Sequence, residues 1–254
     1  MLKRVHCFIL ALAVIAPTHL YCDGATQPAS SRRAVVVELF TAEGCSSCPP
    51  ADELLGRLSK QTFPDGLEVV PLGLHVDYWN AQGWKDRFSS ADYTQRQERY
   101  AQRFHLPDLY TPQMVIEGSV AVTGNDVPAV LRAVSAAAQR PQLAEVQLST
   151  SEGRLKVTVK SGQSNAATVM LALTEDNVIS KVSAGENSGR ELHHSAVVRK
   201  LQTLGRLREG KFETSVRLTI AKDCKREDTH VVVFVQNSSN GEISGAATTA
   251  FPLL

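Results

Sequence analysis

Two cysteines, Cys45 and Cys48, stand in Phe40-Thr-Ala-Glu-Gly-Cys-Ser-Ser-Cys-Pro-Pro50, directly after the apolar run Ala34-Val-Val-Val-Glu-Leu-Phe40. A run this continuously apolar suits a strand covered on both faces. The chain then has to leave that strand, pass two thiols and start a helix, for which Ala51–Lys60 supplies Leu54, Leu55 and Leu58 at helical spacing. Thiols at a helix start feel the positive end of its macrodipole, which lowers a thiol pKa from about 8.5 towards neutrality and favours the reactive thiolate. A C-x-x-C placed there is able to cycle between dithiol and disulfide.

The strand and helix signals continue to alternate up to about residue 139. Leu67–Val76 reads as a second buried strand, so the connection is a right-handed crossover between parallel strands. An aromatic segment follows, Asp77-Tyr-Trp-Asn-Ala-Gln-Gly-Trp-Lys-Asp-Arg-Phe88, and then a helix over Ala91–Phe104. Ser89 or Ser90 caps that helix, with Tyr93, Tyr100 and Phe104 on one face. Met114–Glu117 and Val120–Thr123 form a hairpin. A last helix starts near Asn125 or Asp126, carries Pro128 in its first turn and presents Val127, Val130, Leu131 and Val134 on one side.

From Leu143 the hydrophobic period becomes two. Arg154–Lys160 and Phe212–Ile220 alternate cleanly, Ala167–Leu173, His230–Gln236 and Glu242–Phe251 read as further strands, and Ser151-Glu-Gly153 and Ser239-Asn-Gly241 supply turns. The expectation is an all-β, sandwich-like domain over residues 142–254, following an α/β domain over 34–141.

The N-terminus reads as a signal. Met1-Leu-Lys-Arg4 is basic, and Val5–Ala16 is apolar but too short for a membrane span of about 20 residues. Residues 1–24 are therefore expected to be removed and 25–33 to form a polar arm, leaving a secreted or periplasmic protein with no membrane span. A lipid anchor on Cys22 is disfavoured by bulky Tyr21 before it. Without Lys3, Arg4 and Asp23 the 27 basic and 26 acidic residues become 25 of each. Such a balance leaves no basic excess for a nucleic-acid partner. The remaining thiols are Cys45, Cys48 and Cys224, too few for a disulfide framework, and Cys224 in Ala221-Lys-Asp-Cys-Lys-Arg-Glu-Asp228 reads as a bystander or an intermolecular link.

The C-S-S-C pair between strand and helix, with Tyr110-Thr-Pro-Gln113 ahead of a later strand, resembles the thioredoxin superfamily over residues 34–141, with an insertion at about 77–106. More narrowly, Glu38-Leu-Phe-Thr-Ala-Glu-Gly-Cys-Ser-Ser-Cys-Pro-Pro-Ala-Asp52, with His75-Val-Asp-Tyr-Trp79, is similar to a family of exported thioredoxin-like proteins of unassigned function. The resemblance implies a redox-active disulfide with no other cofactor. Cys45 would be the exposed nucleophile, Cys48 the resolving thiol and Pro112 a cis-proline beside them. Thr111, Tyr110, Trp79 and Trp84 would receive substrate. The buried aspartate that the superfamily carries on its first strand is Leu39 here, and alternation turns Glu38 to the opposite face. Proton transfer would fall to Glu43 or Asp77.

The expected function is thiol-disulfide exchange with exported protein thiols or disulfides, together with a redox partner. Two alternatives stand beside it, a binding module with a structural disulfide, and a copper or zinc protein using the C-x-x-C pair. No metal site is assigned. His75 and His105 are the candidates for joining the thiols, while His193 and His194 point to opposite faces of a strand and do not readily share an ion.

Overall fold

The structure, a computed structural model, describes residues 33–63, 66–151, 153–162 and 166–251. The expected signal at 1–24, the rest of the arm up to residue 32, and Glu152 of the first turn lie outside the described residues. Strand β1 (Ala34–Thr41) is buried along its whole length, and α1 (Pro49–Lys60) returns the chain to β2 (Glu68–His75), parallel to β1. After a 3-10 turn at Tyr78–Gln82 come α2 (Ala91–Phe104), capped by Ser90, and the hairpin of β3 (Gln113–Ile116) and β4 (Val120–Thr123). Helix α3 (Val127–Ala138) is capped by Asp126.

The alternating strands are β5 (Ala144–Ser151), β6 (Arg154–Ser161), β7 (Ala167–Glu175), β8 (Val178–Lys181) and β9 (Glu191–His194). They continue as β10 (Val197–Arg206), β11 (Lys211–Val216), β12 (Thr229–Asn237) and β13 (Ile243–Ala250). The fold is a mixed α/β one. An eight-stranded mixed sheet runs β13-β12-β7-β10-β2-β1-β3-β4, beside a three-stranded sheet β11-β6-β5 and the hairpin β8-β9.

Alternation along β1 separates two cores. Val35, Val37 and Leu39 meet Leu54, Leu55 and Leu58 of α1 and Val130 and Val134 of α3. Val36 and Phe40 face the other way, towards Tyr93 and Tyr100 of α2. On α3 the buried stripe is Val130, Val134 and Ala137, whereas Val127 and Leu131 stand exposed, contrary to the side expected for them. A third core lies where Val157 and Val159 of β6 pack on Leu171, Val231 and Val233.

The small sheet and the outer strands thus pack face to face. One of the two layers, however, is the same sheet that carries β1 and β2, and the described residues form one compact unit. The join is Val197 of β10 beside Gly73 of β2, where Gly73 N donates to Ala196 O at 2.8 Å. A side chain on Gly73 would meet the carbonyl oxygens of Ser195 and Ala196 at 3.3 Å, so glycine permits this close approach.

Candidate functional site at the first helix start

Cys45 and Cys48 form a disulfide, with Cys48 as the N-cap of α1. Pro49 and Pro50 have no amide hydrogen to offer, and the next two amides, of Ala51 and Asp52, turn back to Cys48 O at 2.8 and 3.1 Å. The local donor to sulfur is a side chain, Ser47 Oγ, 3.4 Å from Cys45 Sγ. Both cysteines are 0% exposed, which corrects the expectation of an open Cys45 above a closed Cys48.

The turn joining β8 to β9 accounts for part of this burial. Asn187, itself buried, donates from Nδ2 to Glu43 O at 2.8 Å and to Cys45 O at 2.9 Å. Ser46 N donates to Glu186 Oε2 at 3.1 Å. Tyr78 and Trp79 pack against the cluster that holds both cysteines. The expected substrate loop lies alongside, for Ser47 Oγ is 3.5 Å from Thr111 O and the Thr111-Pro112 bond is cis. Trp79 Nε1 donates to Thr111 Oγ1 at 2.8 Å, and Tyr110 O accepts from Gln97 Nε2 at 2.8 Å.

Two residues before Cys45 begins a buried polar cluster. Trp84 Nε1 donates to Glu43 Oε2 at 2.6 Å, and Glu43 N donates to Asp86 Oδ2 at 2.9 Å. The same Asp86 oxygen lies 2.6 Å from His75 Nδ1. Burial opposes ionisation of Asp86, but His75 and the amides of Glu43 and Phe88 prevail and hold its carboxyl at about 2. Burial also disfavours charge on His75, yet Asp86, joined by Asp52 and Glu43, lifts its pKa above the ordinary value. His194 comes in from β9, with Nε2 3.7 Å from Glu43 Oε1 and Nδ1 3.6 Å from Asp52 Oδ1. Asp52 is fixed through its other oxygen, which accepts from Thr41 Oγ1 at 3.0 Å.

Of the expected proton-transfer residues, Glu43 belongs to this cluster, whereas Asp77 accepts from Thr94 Oγ1 of α2 at 2.6 Å and ties that helix to the aromatic segment. His105 is exposed at the left-handed C-cap of α2 and is not brought to His75. His193 is exposed while His194 is buried, as strand alternation required. Sequence reading missed Asp52, Asp86 and His194, because the hairpin laid over α1 brings His194 to Asp52 and the loop before α2 brings Asp86 to His75. The available signal was a histidine at a strand position otherwise filled by apolar residues, Leu192 and His194 sharing the buried side.

Comparison with known proteins places the site in context. A family model described as "Protein of unknown function (DUF1223)" matches residues 36–236. No curated protein matches. A crystal structure of a protein from Agrobacterium tumefaciens is similar at 27% identity and a TM-score of 0.73, over 89% of this chain and 98% of that one. HBP35 of Porphyromonas gingivalis shares the fold at 17% identity and a TM-score of 0.55, over 87% of this chain and 76% of that one.

Proposed function

The chain belongs to the DUF1223 family, whose function is unknown, so from the chemistry of the site we propose thiol-disulfide exchange with exported protein substrates through Cys45 and Cys48 in a thioredoxin-like framework. The observation that carries this reading is the disulfide closed across the start of α1 with the Tyr110–Pro112 loop beside it. In the oxidised state a substrate thiolate attacks Cys45 Sγ, the bond to Cys48 breaks, and Cys48 leaves as a thiolate that takes up a proton. A second substrate thiol then displaces Cys45, so the substrate is oxidised by two electrons and the pair is reduced. The reverse sequence reduces a substrate disulfide.

Because Cys45 is covered, exchange requires the Ser46–Glu186 contact and the ring of Trp79 to give way as substrate enters. Thr111 would then offer main-chain groups to an extended substrate segment, the recognition mode of an added strand. Ser47 Oγ supplies the hydrogen bond that the two prolines cannot.

Complete burial of the pair favours a second reading, a disulfide that only staples the loop. The reduction potential separates the two. Exchange predicts a value between about −270 and −120 mV with catalysed reduction or oxidation of a model protein disulfide, and a staple predicts one below about −300 mV with no exchange.

A further inference from the structure

We propose that Asp52, His75 and His194 form a divalent-metal centre of the zinc class, which clamps the β8-β9 hairpin onto α1 and β2. One donor atom from each residue lies within 4.8 Å of the others, and all three side chains are buried. Among the described residues five buried side-chain nitrogen or oxygen atoms lack a hydrogen-bond partner, and four of them are here: Glu43 Oε1, His75 Nε2 and both ring nitrogens of His194. A buried polar atom without a partner forfeits its hydration with nothing in return, so four together call for an occupant.

The surroundings are built as a metal site's outer shell is built. Asp86 fixes His75 through Nδ1 and leaves Nε2 facing inward, the carboxylate–histidine arrangement that orients a ligating imidazole. Glu43 Oε1 stands at Nε2 of His194, which leaves Nδ1 for the ion beside Asp52 Oδ1. Thr41 and Trp84 each hold the other oxygen of Asp52 and Glu43. Two imidazoles and a carboxylate, with Glu43 and Asp86 beside them, suit a borderline ion such as zinc better than soft copper(I), and three protein ligands leave one coordination position for water. Tetrahedral zinc wants donors about 3.3 Å apart, so binding draws the three residues inward. Neither cysteine belongs to the donor set, and the proposal does not rest on their chemistry. Its placement tightens the hairpin whose turn carries Glu186 and Asn187 over Cys45.

The test uses the mature full chain with its disulfide intact, freed of metal by chelator and titrated with cobalt(II) and zinc(II). The expected result is one equivalent per chain and a visible cobalt spectrum of nitrogen and oxygen ligation, with no thiolate charge-transfer band. Affinity should fall at least about 100-fold in His75→Gln and His194→Gln, about 10–100-fold in Asp86→Asn, and not at all in the double variant Cys45→Ser, Cys48→Ser. Should a histidine variant fail to fold, the cobalt spectrum of the unaltered chain decides. Absence of stoichiometric binding, a thiolate band, or unchanged affinity in folded histidine variants would overturn the proposal.

Discussion

Glu117 sits in the β3-β4 turn with a left-handed backbone, and its Oε1 accepts from Val36 N at 2.6 Å. Burial drives its carboxyl up to about 7, against the opposing pull of that amide, Arg140 and Arg33. A carboxyl whose pKa is raised by folding binds its proton more tightly in the folded state, so its contribution is most favourable below about 4.5 and is lost as pH rises towards about 7. Denaturation of wild type and Glu117→Gln at about pH 5 and pH 8 should show the wild type losing about 2 kcal/mol relative to the variant, a value reduced for partial exposure. Equal slopes with pH would contradict this. At the same scale, the Cys45–Cys48 disulfide and the cis Thr111-Pro112 bond were legible because each is carried by a local motif. The pairing of His75 with His194 was not, because they lie 119 positions apart and the sequence alone set His75 beside His105 and His194 beside His193.

Helix α2 is fastened by charge as well as by apolar contact. Arg96 donates from Nε and Nη2 to the two oxygens of Glu38 at 2.5 and 3.1 Å, Tyr100 donates to Glu38 Oε2 at 2.5 Å, and Gln236 of β12 joins through Arg96 Nη1 at 3.0 Å. Both members of the ion pair are buried, so removing one strands the other charge without water. Arg96→Met should cost about 3–5 kcal/mol, and adding Glu38→Gln should recover part of it, as read from denaturant midpoints. A loss below about 1 kcal/mol would show that the pair contributes little. Alternation in the sequence already turned Glu38 away from Leu39, but gave no sign of its partner on α2. Strand β10 escaped for another reason. Register shifts between Val198 and Lys200 and between Thr203 and Gly205 break its period.

At the scale of the molecule, β7, β10, β12 and β13 of the second half extend the sheet that begins at β1, and the β8-β9 hairpin reaches back over α1 to the disulfide. Composition and period announced the change of architecture near Leu143, yet periodicity carries no information about which sheet a strand joins. For that reason the two halves read as separate domains. Among the described residues no helix is long and apolar enough to cross a membrane. Part of the site's cover, the turn at Glu186 and Asn187, comes from the half of the chain that carries no part of the C-x-x-C pair, and the proposed exchange depends on a substrate able to displace it together with Trp79. The most direct test is covalent capture. Cys48→Ser, expressed as the full chain from Met1, should accumulate mixed disulfides between Cys45 and partner proteins that dissolve on reduction, while Cys45→Ser should accumulate none and Cys224→Ser should match the wild type. If Cys48→Ser accumulates no adduct although its Cys45 is reduced and labelled by a small alkylating reagent, thiol-disulfide exchange is not what this site does.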